Sequence, residues 1–321
     1  MKKLLIAGLV GMLATFPVLA QKKDLPLVAV TQIIEHPALG EVYRGLIDGL
    51  KEKGYEDGKN IRLDYQIAQG DMALNTQIAK QFAGENPAVI VASTTPSAQA
   101  AIAAVHGKIP VIFTAISDPI GAQLVDNMEK PGKNVTGVKE ALAYDANMET
   151  IAELLPELKA LGTVSNPGED NSVTTNRVIE EMAKARGWTF INAPAKNTGD
   201  VLDAARSLVG KVDAILITMD NTAVSAFPSI AQVADQNKIP LFVFDTFSVP
   251  NGAAVGIGYE EYDVGKLTAD QVAAVLEGKN PGDIPVAEVE KTRIVLNEKA
   301  AKKQGLTLPQ SLKDKAAEVI Q

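Results

Sequence analysis

From residue 27 to residue 296 the chain alternates short apolar runs with longer stretches of helical periodicity. The runs are Leu27–Thr31, Arg62–Gln66, Ala88–Ala92, Pro110–Thr114 and Val135–Val138, then Gly162–Ser165, Thr189–Asn192, Ala214–Thr218, Leu241–Phe244, Ala253–Ile257 and Thr292–Leu296. Apolar residues recur at helical spacing over Glu41–Lys53, Ala73–Phe82, Ser97–Val105, Asn147–Leu155, Val173–Arg186, Val201–Val209 and Ser225–Asn237. Gly54 and Gly187 close two of these stretches, as glycine commonly does at a helix end. Short β-branched runs separated by helices predict βαβ units and a parallel sheet. Runs that are apolar throughout suit strands covered on both faces. The pattern runs to residue 140 and then restarts, which predicts an α/β fold of two Rossmann-like, doubly wound lobes. A barrel of eight βα units is the structural alternative at this length; the restart favours two lobes.

In open parallel sheets, ligands bind beyond the carboxyl ends of the strands. The segments that follow the runs are therefore the candidate site: Thr31–Pro37, Ser93–Ala98, Thr114–Pro119, Ser165–Ser172, Thr218–Thr222 and Asp245–Phe247. Nearly all are small and polar. Thr95-Pro96-Ser97 reads as the start of a helix, whose free N–H groups can receive an anion. Asn171-Ser172 and Asn221-Thr222 open helices in the same way, and Asp118, Asp220 and Asp245 could hold an ammonium group. Each segment alone is explained by helix capping and turn formation. The recurrence of the pattern in six loops is what points to a ligand.

Composition narrows the chemistry. The 321 residues include no cysteine and two histidines, His36 and His106, which argues against thiolate metal sites, disulfides and histidine-based catalysis. A net charge of −8 argues against nucleic acid. There is no Gly-x-Ser-x-Gly, His-Glu-x-x-His or P-loop, and Thr31-Gln32-Ile33 stands where a dinucleotide fold would place its glycines. No cofactor and no metal are expected.

The first residues read as an address. Met1-Lys2-Lys3 precedes an apolar run to Leu19, and Val18-Leu19-Ala20 has small residues where a signal peptidase cuts. The run is short for a membrane span and Pro17 interrupts it. Cleavage after Ala20 removes Lys2 and Lys3 and takes the net charge from −8 to −10. With no cysteine for lipid attachment, the expected location is free in the periplasm.

Several of these segments together resemble the ABC transporter substrate-binding family of the tryptophan/tyrosine type, which has the type I periplasmic binding protein fold. They include Thr31-Gln32-Ile33-Ile34-Glu35-His36-Pro37-Ala38-Leu39, Thr95-Pro96-Ser97-Ala98-Gln99-Ala100, Phe113-Thr114-Ala115-Ile116-Ser117-Asp118-Pro119, Asn134-Val135-Thr136-Gly137, Asn166-Pro167-Gly168-Glu169-Asp170-Asn171-Ser172 and Asp220-Asn221-Thr222. The resemblance implies a receptor that traps a small solute, an amino acid with aromatic ones first, and delivers it to an inner-membrane permease with its ATPase. It implies a monomer with three hinge crossings, expected near Gly137–Lys139, Thr246–Ser248 and Pro281–Val286. The first lobe is then 25–137 plus 248–282, and the second 138–247 plus 283–321.

Carried over by the resemblance, the ligand-facing candidates are Thr31, Gln32, His36, Thr95, Ser97, Ser117 and Asp118 on the first lobe. On the second they are Asn171, Ser172, Asp220, Asn221, Asp245 and Thr246. Thr95 and Ser97 would take the α-carboxylate, and Asp220 or Asp245 the α-ammonium. Asn171 and Ser172 would bridge from the opposite lobe, and Thr31–His36 would face the side chain. The chain departs from the family pattern at Ser165, usually aromatic, and at Asp170, usually small. A sensor that docks on a membrane receptor is the alternative reading, and an exported hydrolase using Asp residues is a third.

Overall fold

The computed structural model describes residues 25–140, 142–289 and 291–321. The signal-peptide reading falls outside the described residues. The first lobe begins with β1 (Leu27–Gln32), α1 (Pro37–Glu52), β2 (Arg62–Ile67), α2 (Met72–Glu85), β3 (Val89–Ser93), α3 (Thr95–Val105), β4 (Val111–Ile116) and β5 (Val135–Lys139). The second lobe contains α4 (Tyr144–Leu154), β6 (Ala160–Ser165), α5 (Asp170–Ala185), β7 (Thr189–Pro194), α6 (Val201–Ser207), β8 (Ala214–Ile217), α7 (Asn221–Ser225), α8 (Phe227–Asn237), β9 (Leu241–Val243) and β10 (Val255–Tyr259). The chain then returns to the first lobe with α9 (Glu261–Leu276) and β11 (Ala287–Glu288). It ends in the second with β12 (Thr292–Asn297), α10 (Glu298–Lys303), α11 (Gln310–Lys313) and β13 (Glu318–Ile320).

The first sheet has the order β11-β5-β4-β3-β1-β2 and is parallel throughout. The second has the order β13-β12-β10-β9-β8-β6-β7 and is parallel except between β10 and β12. Two layers of helix cover each sheet, as the apolar runs predict. In β3, Ile90 and Ala92 pack on one side with Phe82 and Phe113, while Val89 and Val91 pack on the other with Leu46 and Leu50. The mixed strands β2 and β7 lie at or near sheet edges, which is why they carry polar residues.

The lobe boundaries differ from the expected ones. The segment after Phe244 does not cross over; it continues into β10, which pairs with β9 and β12, so residues 248–259 belong to the second lobe. The crossing there falls between Tyr259 and Glu261. Residues 283–288 stay with the first lobe: Thr136 donates to Ile284 O at 2.7 Å, Val286 N donates to Met128 O at 2.8 Å, and β11 pairs with β5. Val138 and Lys139 likewise belong to β5. The periodicity marks each strand but not the sheet it joins.

What returns α9 to the first lobe is close packing on α1. A Cβ added at Gly45 would stand 2.1 Å from the Tyr262 carbonyl oxygen, and one at Gly265 would stand 2.0 Å from that of Val42. Two helices approach this closely only where both lack side chains.

Candidate functional site

The carboxyl ends of both sheets face one another across a cleft. The cleft holds a cavity with walls from both lobes. Its apolar lining is Ile34, Ala38, Leu39 and Ala115 from the first lobe, with Met219 and Val224 from the second. The polar lining is His36, Thr94, Thr95, Ser117 and Glu140 on one side, and Asn171, Asn221 and Asp245 on the other. Met219 and Val224 also pack against the first lobe's core, so the lobes are in contact across the cleft.

Two wall positions hold unusual backbone. Thr94 has φ +76° and Ala115 has φ +55°, in a region where residues other than glycine are rare. Thr94 makes the sharp turn from β3 into α3; Ala115 lies where the pairing of β4 with β5 shifts register. Such strain persists only where the surroundings enforce it, and it concentrates at binding sites. Thr94 also caps α3 without a side-chain bond, and its buried Oγ1 has no partner. In the first turn of α3 the Thr95 and Ser97 amides have no intrahelical acceptor, while Pro96 has no N–H. This corner of the cavity is therefore rich in donors and suits an anion.

The opposite character comes from carboxylates. Glu140 lies in the first crossing, fully buried, accepting hydrogen bonds from Tyr259 Oη and from Ser117 Oγ at 3.1 Å. Burial pushes its carboxyl up to about 7. Asp245 follows β9 and accepts from the Ser248 amide at 2.6 Å and from Ser248 Oγ at 2.8 Å. His36 caps α1, its Nδ1 accepting from Ala38 N at 3.3 Å; burial lowers its pKa, opposed by Asp245. Asn171 donates to Met219 O at 2.8 Å and leaves its buried Oδ1 without a partner. Among the described residues no lysine or arginine is buried. Among the described residues no group of three or more His, Cys, Asp or Glu is arranged to hold a metal.

Six of the sequence candidates line the cavity: His36, Thr95, Ser117, Asn171, Asn221 and Asp245. The other seven lie elsewhere. Thr31 and Gln32 are buried in β1, with Gln32 bonded to Tyr65 Oη at 2.9 Å. Ser97 donates to Asn75 Oδ1 at 3.1 Å. Asp118 accepts from Gly121 N at 2.9 Å and so holds its own turn. Thr246 is buried outside the lining.

Asp220 departs most from its expected role. It is fully buried and caps α7 through Ala223 N at 2.6 Å, while Asn166 N at 2.6 Å and Ser172 Oγ at 2.5 Å donate to its other oxygen. Burial and the neighbouring Glu169 raise its carboxyl to about 7. Asp220 and Ser172 thus organise the loops behind the cavity. Glu169 does the same, accepting from the Asn221 and Thr222 amides, both at 3.1 Å.

The sequence model of the family described as "ABC transporter substrate binding protein" matches residues 27–320. The chain belongs to this family. Members bind a solute and do not transform it. The substrate-binding chain is similar to a Tyrosine-binding protein of Clostridioides difficile, at 39% identity over 86% of this chain and 79% of the relative. It is also similar to the structure of an ABC domain from Streptococcus pneumoniae in complex with L-Trp. There the TM-score is 0.88 and the identity 33%, over 92% of this chain and all (100%) of the other. A third relative is the ligand-free, open structure of a substrate-binding protein with adhesive properties from Clostridium difficile. Identity is again 33%, over 92% of this chain and 99% of the other, but the TM-score is 0.68.

Of the cavity residues that the loop reading missed, Glu140 is the most important for chemistry. It follows the strand Val135–Lys139, directly after the expected hinge segment Gly137–Lys139. A carboxylate directly after a buried strand was the available signal.

Proposed function

We propose that this substrate-binding protein traps a zwitterionic amino acid with a large apolar side chain, aromatic first, between its lobes. It then delivers the solute as a monomer from the periplasm to an ABC permease and its ATPase. The observation that carries the reading is the cavity's polarity: donors at the α3 corner, carboxylates of Glu140 and Asp245, and an apolar wall. Burying a zwitterion requires that both charges be met. The α-carboxylate goes to Thr94, Thr95 and the first-turn amides of α3. The α-ammonium goes to Glu140 and Asp245, with Asn171 Oδ1 as a further acceptor. The side chain lies against Ile34, Leu39, Met219 and Val224.

The relatives support this reading, one being a tyrosine-binding protein and another a complex with L-Trp. At equal identity, the chain superposes better on that complex than on the ligand-free, open relative, which supports closure of the lobes around a solute.

Calorimetry with L-tryptophan, L-tyrosine and L-phenylalanine tests the reading. At least one should bind at one per chain, while tryptamine and indole-3-propionate, each lacking one charge, should bind more than tenfold more weakly. Glu140→Gln should weaken binding about tenfold or more by removing a charged partner. Equal affinity for the amine-free analogue would refute the assignment of Glu140.

A further inference from the structure

At the rim of the cleft, Gln99 of the first lobe reaches Asp170 of the second. Gln99 Nε2 donates to Asp170 Oδ2 at 2.7 Å and also lies 3.2 Å from Ala122 O, within its own lobe. Among the described residues this is the one hydrogen bond between the lobes outside the crossings. The lobes also touch beside it: a Cβ added at Gly121 would stand 3.1 Å from Thr174 Cγ2. At the cavity the contact is apolar, through Met219 and Val224. Apolar contact is non-directional; the Gln99–Asp170 bond is directional and is made only when the two helices meet.

Both partners are tied to the cavity. Gln99 lies one turn after Thr95 on α3, so the two share a helix face. Asp170 stands between Asn171, which lines the cavity, and Glu169, which holds the α7 amides. Movement of either helix N-terminus toward a solute also moves the rim bond. Asp170 is exposed and Gln99 half-buried, so the bond can open and re-form in contact with water.

We propose that Gln99 and Asp170 form a latch that sets how long the lobes stay shut, acting as positioning residues that do not touch the solute. The proposal rests on the reading that a solute binds between the lobes, but its test separates the two. The chain has no cysteine, so Lys108→Cys with Lys184→Cys allows two spin labels to be placed, one just beyond the C-terminal end of α3 and one in the last turn of α5. Distances between them by pulsed electron resonance report lobe opening directly. Gln99→Glu sets a second carboxylate against Asp170 and should lengthen the distance; Gln99→Lys makes an ion pair and should shift the population to the short distance.

Release of tritiated L-tyrosine into excess unlabelled L-tyrosine gives the second readout. Gln99→Glu should release about three- to tenfold faster, the effect of a solvent-exposed hydrogen bond to a charged group, and Gln99→Lys should release more slowly, with association rates nearly unchanged. Both effects should disappear in the Asp170→Ala background, as a pairwise coupling requires. Equal distances and equal release rates in all variants would overturn the latch. If the distances shift as expected while no amino acid binds the wild-type protein, the latch stands and the solute reading fails.

Discussion

Glu261 opens α9 at the second crossing and is 2% exposed. Neither of its carboxyl oxygens has a hydrogen-bond partner apart from its own backbone amide. Asp245, Glu140 and Glu260 are acidic neighbours. Burial, reinforced by these charges, pushes its carboxyl from 4.5 up to about 9. The folded chain therefore keeps a proton that the unfolded chain gives up. The stabilisation is full below 4.5 and is lost as pH rises toward 9. Between those limits the difference is one proton, or about 1.4 kcal/mol per pH unit. From pH 6 to pH 8 Glu261 should cost the wild-type protein about 2.7 kcal/mol.

Glu261→Gln keeps the shape of the protonated side chain and removes the titration. Urea unfolding at pH 6 and pH 8 measures the effect. The wild-type stability should fall across this interval by about 2 to 3 kcal/mol more than that of the variant. Glu140 and Asp220, each raised to about 7, add to the fall in both proteins and cancel in the comparison. An equal fall in both proteins would show that Glu261 is already ionised when folded and would refute the reasoning.

Two further substitutions probe the packing that frames the site. Asp220→Ala removes the acceptor for three donors and should cost about 2 to 4 kcal/mol of unfolding free energy; loss of solute affinity at unchanged stability would return it to the binding role expected from sequence. Gly45→Ala forces a methyl group against the Tyr262 carbonyl and should cost about 1 to 3 kcal/mol by urea unfolding. Gly40→Ala, on the same helix with nothing within 4 Å, should be neutral or slightly stabilising.

The strands and most helices are legible in the sequence because a strand buried on both faces has to be apolar throughout. Which sheet a strand joins is a long-range property. Ala253–Ile257 reads as a strand, yet no local feature tells that it extends to Tyr259 beside β9 and runs antiparallel to β12. The helix expected over Ser225–Asn237 is found but starts two residues later, at Phe227, because a separate short helix, α7, ends at Ser225 before it.

At the site, residues one or two places beyond a strand, such as Ser117 and Asp245, line the cavity as expected. Asp220, three places beyond β8, turns inward, because the Asn166 and Ala223 amides and Ser172 surround it. A polar residue in a loop looks the same in sequence whether it serves a ligand or a neighbouring loop. Asp170, where the chain departs from the family pattern, reaches the opposite lobe at Gln99.

The return of α9 to α1 has a consequence for how the chain becomes a protein. The first lobe's sheet is missing one helical cover and its edge strand β11 until residues 261–288 are available, and the second lobe lacks β12 and β13 until the chain ends. Neither half of the polypeptide is a self-sufficient unit. A fragment ending near residue 140 would leave Leu46, Leu50 and Val91, which share a core with Val272 and Ala269, without part of their cover and prone to associate. Each finished lobe therefore needs segments that lie far apart along the chain.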